Sequence, residues 1–177
     1  MVHPSALSGK TTHSLEDIGN AIRDLIFREY NKDARPGKVS YREPGMPPLR
    51  QKYLGQPAVI PSPLPAVAVE FSSVVYSDAP QDAGSDNEAE VKIFLYGTEM
   101  TRAAQQDEAI RMAECVRHII IDNPTMPTAA GTEQVYQLGY REMRIEFDRL
   151  LQNFQGEFRG VEVAVLTAIA VFAETGF

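Results

Sequence analysis

Few residues in the chain have the types and spacing for chemistry. Cys115 and His118 lie three apart, which on a helix brings a thiol and an imidazole close enough to share a metal. Such a site needs further ligands, and the other histidines, His3 and His13, sit far off in a polar N-terminal stretch. The pair therefore reads as a buried structural thiol beside a structural or surface histidine. Gly9-Lys10-Thr11 has the ending of a phosphate-binding loop, but the place of its first glycine is held by Pro4 and no strand precedes it. Asp78, Asp82, Asp86 and Glu88 crowd a short segment that suggests calcium in outline, yet the alternating ligands and closing glutamate of a calcium loop are missing. No Gly-x-Ser-x-Gly elbow and no glycine-rich dinucleotide fingerprint occurs. The residues give no catalytic group, no metal site and no cofactor, so function has to be argued from architecture and charge placement.

The elements that would carry any site centre on Glu90 to Asp122. Val91 to Tyr96 is rich in β-branched and aromatic residues and ends at Gly97, which predicts a strand. Beyond it Ala109, Ile110, Ala113, Val116, Ile119 and Ile120 recur at helical spacing, with Gln105, Gln106, Asp107, Arg111, Glu114 and Arg117 on a polar face. Asn123-Pro124 stops that helix. Upstream, Ser14 and Asp17 cap a first helix over 14–30, whose apolar stripe is Leu15, Ile18, Ile22, Leu25 and Ile26.

Residues 31–65 read as a proline-rich extended arm. Pro36, Pro44, Pro47, Pro48, Pro57, Pro61, Pro63 and Pro65 forbid regular helix and central strand there. The arm carries Arg35, Lys38, Tyr41, Arg42, Arg50, Lys52 and Tyr53, and its Leu49, Leu54, Val59 and Ile60 add adhesive surface. Two readings stay open: a disordered linker, or an arm that orders on a partner. Ala66 to Tyr76 predicts the first long strand, followed over 77–90 by an acidic hairpin loop. Glu133 to Tyr140 alternates as a strand. From Met143 both periods fit, and the reading favours a strand that gives way to a helical or irregular segment. In the last element Val161, Val163, Val165, Thr167, Ile169 and Val171 hold every second position, which is a strand pattern.

Composition narrows the classes. At 177 residues the chain is expected to form one domain, 1–177, with one core. A net charge of −7 weighs against nucleic acid as the main partner. A single cysteine gives no internal disulfide. The start Met1-Val2-His3-Pro4-Ser5 lacks a secretory pattern, and the apolar run 161–173 contains Glu162 and is too short for a bilayer, so no membrane is expected as a partner.

The order is helix, long arm, strand, acidic loop, strand, helix, strand, strand. Val91–Tyr96 feeds the Thr101–Ile121 helix, Leu64-Pro65-Ala66-Val67 enters the first strand, and Arg159-Gly160-Val161 opens the last. This pattern resembles the tail-terminator and tail-completion (neck) proteins of tailed phages. The resemblance implies an α/β (α+β) subunit, with a mainly antiparallel four-stranded sheet and two helices packed on one face. It implies a virion structural protein rather than an enzyme, forming a homo-oligomeric ring, usually of six subunits. The ring would cap the head-proximal end of the tail tube, stop its polymerisation and join it to the head connector. Partners would be further copies, tail-tube and neck proteins, with DNA only as passing cargo, in a particle assembled in the host cytoplasm. The arm residues Arg35, Lys38, Tyr41, Arg42, Arg50, Lys52 and Tyr53 are the expected partner-binding set. The acidic residues Asp78, Asp82, Asp86 and Glu88 would face the ring lumen or a neighbouring subunit. A head-closure adaptor and a small α/β enzyme or ligand-binding domain are the alternatives.

Overall fold

A computed structural model of the protein describes residues 15–33, 40–76, 86–98, 101–126 and 136–173. They form α1 (Leu15–Asn31), β1 (Gln51–Leu54), β2 (Ala66–Val75), β3 (Asp86–Tyr96), α2 (Arg102–Asp122), β4 (Thr125–Met126), β5 (Tyr136–Phe154) and β6 (Glu157–Ala173). The strands make one mixed sheet in the order β1-β2-β3-β6-β5-β4. Only β1 and β2 run parallel. The remaining neighbours are antiparallel. Two helices and a mixed sheet make this an α+β fold.

Both helices lie on one face of the sheet. Ile18, Ile22 and Ile26 of α1 and Met112, Val116, Ile119 and Ile120 of α2 are fully buried there. They meet Val67 and Val69 of β2, Val91, Ile93 and Leu95 of β3, and Ala164, Leu166 and Ala170 of β6. The alternation of β6 decides which side is which: its small residues face the helices and leave room for α2, while Val161 and Val163 face the other way. Burying each large aliphatic side chain stabilises the fold by roughly 1.5–3 kcal/mol.

The opposite face holds a smaller cluster of Ala66, Ala68, Phe94, Tyr96, Val161 and Val163. Its cover is the proline-rich segment. Ile60 and Leu64 pack on the cluster together with Tyr53 and Leu150, and Pro61 and Pro65 are buried. The Ser62–Pro63 and Leu64–Pro65 peptide bonds are both cis. Pro65 O accepts a hydrogen bond from Arg50 N at 2.8 Å, and the Gln152 Oε1 on β5 accepts one from Ile60 N at 3.1 Å. The first closes the two ends of the segment on each other, and the second ties it to β5.

Several expectations change. The four-stranded antiparallel sheet is a six-stranded mixed one, because the arm contributes β1 and residues Thr125–Met126 contribute β4, both too short to show as apolar runs. Residues 143–154 are strand throughout, with no helical segment. Their pairing with β6 decides between two spacings that the side chains alone leave level, and Gln155 and Gly156, at φ 52° and 84°, supply the two-residue turn this hairpin needs. Residues 86–90, expected in the acidic loop, belong to β3, where pairing on both sides with β2 and β6 outweighs their polarity. On α2, Ile110 is exposed while Gln105 and Glu108 are buried. Ser14, the acids Asp78 and Asp82, and residues 133–135 lie outside the described residues.

Candidate functional site

The chemistry-bearing residues divide between the interior and one end of the sheet. Cys115 is buried, and its Sγ donates to Tyr41 O at 2.9 Å. Burial pushes its thiol above the ordinary range. His118 is exposed, with Arg117 Nη2 at 3.5 Å from its Nε2. The two therefore do not converge on a metal, and among the described residues no group of three or more histidine, cysteine or carboxylate side chains does. Near Cys115, Tyr30 is fully buried; burial first, then the neighbouring Cys115 and Glu108, push its hydroxyl well up.

Glu108 has a local task. Its carboxylate accepts from Thr98 N at 3.0 Å and from Thr98 Oγ1 at 2.8 Å, closing the link from β3 into α2. Gly97 sits close beside it: a Cβ there would stand 3.0 Å from Glu108 Oε2 and press on the carboxylate. Gln105 Nε2 donates to Gly160 O at 2.9 Å and fastens α2 to the start of β6.

Of the expected arm residues, Tyr41 and Tyr53 are half-buried against the two clusters. Burial, then a hydrogen bond with Asp122, raises the Tyr41 hydroxyl. Arg42 Nη2 pairs with Asp33 at 2.7 Å. Lys52 Nζ pairs with Asp24 at 2.9 Å and stands 5.2 Å from the centre of the Phe27 ring. Arg35 and Lys38 lie outside the described residues. Arg50 is exposed. The structure thus turns most of the described arm residues inward or toward α1 and leaves Arg50 outward. Of the acidic set, Asp86 opens β3 and Glu88 lies in it opposite Val75.

The outer end of the β5–β6 hairpin was not anticipated from the sequence. β3 ends at Tyr96 opposite Val163, so residues 149–154 and 157–162 continue as a ribbon of two strands. Such a ribbon is marginal alone. Here it is braced by Gln105 on one face and by residues 57–60 on the other. Between the ribbon and that segment lies a cleft of about 400 Å³ lined by Gln56, Pro57, Ala58, Val59, Ile60, Leu150, Leu151 and Gln152. Leu151 is 67% exposed and Val59 60%. Three exposed arginines share this end: Arg50 precedes β1, Arg102 opens α2 and Arg149 lies on β5. None has an ion pair among the described residues.

The far end of the sheet has the opposite character. Val75 and Tyr76 are 63% and 57% exposed where β2 finishes. The described charged residues where β3 begins beside them, Asp86, Glu88 and Glu90, are all acidic. No helix of the described residues is long and apolar enough to cross a membrane.

No family model matches the chain, and no curated protein does. Among solved structures, a chain from the virion of a native gene transfer agent particle is 13% identical over 89% of this chain and 99% of that one, with a TM-score of 0.35. A likeness that loose carries no argument about what this chain does.

Proposed function

We propose that the chain is a structural subunit of a tailed-phage-like virion: a tail terminator that closes into a ring, of six copies, at the head-proximal end of the tail tube and joins it to the head connector. The observation that carries this reading is the placement of exposed apolar side chains at two unlike ends of one sheet. Leu151 and Val59 stand at one end, Val75 and Tyr76 at the other. A closed ring requires two different, complementary patches on each subunit. Large apolar side chains left in water at both ends are better explained by burial between chains than by folding. The element order gives the phage resemblance, and the acidic balance suits a wall past which DNA must slide without sticking.

Sedimentation over a concentration series, with negative-stain imaging of the largest species, tests the reading. Closed rings that bind the open end of tail tubes and stop their growth are expected. Rings that bind only the head connector would move the role to the head-closure adaptor. A chain that stays monomeric at every concentration and binds a small molecule saturably would overturn the structural role.

A further inference from the structure

We infer that copies of this chain associate head to tail, with Val75 and Tyr76 at the acidic end of one copy seated against the cleft and arginines at the hairpin end of the next. The inference rests on the assembly reading above and gives it its two surfaces. The apolar requirements match. The cleft is lined by apolar side chains, Val59 and Leu151 among them, and by Gln56 and Gln152, and Tyr76 presents an aromatic ring of the kind that anchors interfaces.

Charge selects the pairing. Arg50, Arg102 and Arg149 surround one end without an ion pair among the described residues. At the other end, the described charged residues beside Val75 and Tyr76 are Asp86, Glu88 and Glu90 at the start of β3, all acidic. Two acidic ends repel, so the acidic end is drawn to the arginines of the next copy and not to its own kind. A contact between unlike ends repeats from copy to copy and closes into a ring when its rotation allows. A nucleic acid could also meet three arginines, but Leu151 and Val59 stand exposed beside them, and a phosphate backbone offers nothing to cover them.

Paired cysteine trapping in the full-length chain tests this. Val59→Cys and Tyr76→Cys are made as separate variants, which leaves Cys115 buried behind Tyr41 O as a quiet background. A short bis-maleimide should join the mixed variants at least about tenfold more than either variant alone, because only the mixture brings both thiols to one contact. The yield should fall between ~0.1 M and ~1 M salt, as the screening length shrinks from about 10 Å to about 3 Å. Arg149→Glu should lower it as well. Equal joining within Tyr76→Cys alone would show a contact of like ends and overturn the inference. So would species that assemble in sedimentation but give no mixed product, and in that case the assembly reading would survive. Absence of any assembled species would overturn both. If Arg149→Glu leaves the cross-link intact and abolishes retention of duplex DNA, the arginines serve a nucleic acid and the inference falls.

Discussion

The two faces of the sheet are covered by different means. On one, α1 and α2 bring large aliphatic side chains into a continuous core in which Ile18, Ile22, Ile26, Ile119 and Ile120 have no exposure. On the other, a segment without regular structure lies over Phe94, Tyr96, Val161 and Val163. A helix pairs its own backbone polar groups and can be buried wholesale. An irregular segment has to place each one, as Arg50 N with Pro65 O and Ile60 N with Gln152 Oε1 do. Prolines suit that task because they carry no N–H and lose little freedom on ordering. Helices fill their side, whereas the irregular cover leaves a cleft.

The contrast can be broken by mutation, and the largest effect is expected under the helices. Ile26→Ala should cost about 2–5 kcal/mol in denaturant unfolding, since it opens a cavity in the packed core. On the other face Leu64→Ala should cost less, about 1–2 kcal/mol, because Leu64 is only partly buried and the segment over it can settle. Equal losses at the two sites would show that the irregular cover is as much a core as the helices are. Deleting residues 38–60, which a free arm would tolerate, should instead destabilise the fold, because the deletion removes β1 and the buried Leu49.

Much of this division was legible in the sequence, and for a physical reason. α1, α2, β3 and β6 each repeat one apolar period over two or more turns or pleats, so their character survives any context. β1 has only Gln51 to Leu54 to declare itself and exists because β2 offers an edge. Residues 143–154 carry Met143, Phe147, Leu150 and Leu151 at spacings that suit a helix as well as a strand, and only the partner strand decides. Gln105 reads from the sequence as a solvent-facing polar residue, and nothing in the sequence marks Glu108. Their partners, Gly160 and Thr98, come from elsewhere in the chain. The same holds for the hairpin end: Arg50, Arg102 and Arg149 are far apart in sequence and come to one end of the sheet only in the fold. Of these, the arm reading had marked Arg50 as a contact residue and Val59 as adhesive surface, while Arg102, Arg149 and Leu151 carried no local signal.

A smaller effect separates α1 from the strand beside it. Burial raises the Asp24 carboxyl, but hydrogen bonds from Arg23 and Lys52 outweigh it and hold the group below its usual 3.8. A carboxyl depressed in the folded state adds stability above its unfolded pKa and loses it as pH falls through the folded one. Lys52→Met should therefore cost about 0–1 kcal/mol at neutral pH, as expected for an exposed pair. The gap between variant and parent should narrow as the pH drops below 3.8. A gap that stays constant into acid would assign the loss to the Lys52 ammonium over the Phe27 ring and not to its pair with Asp24.

The central claim is that the apolar side chains at the hairpin end serve contact between chains and not the fold. Leu151 is the sharpest instance, with 67% of its surface exposed. Its replacement by glutamate should change unfolding free energy by no more than about 0.5 kcal/mol, as for a surface site outside the core. Sedimentation velocity of Leu151→Glu, at a concentration where the parent chain is assembled, tests the claim most directly. The account predicts a folded monomer. A variant that sediments with the parent's assembled species would contradict it.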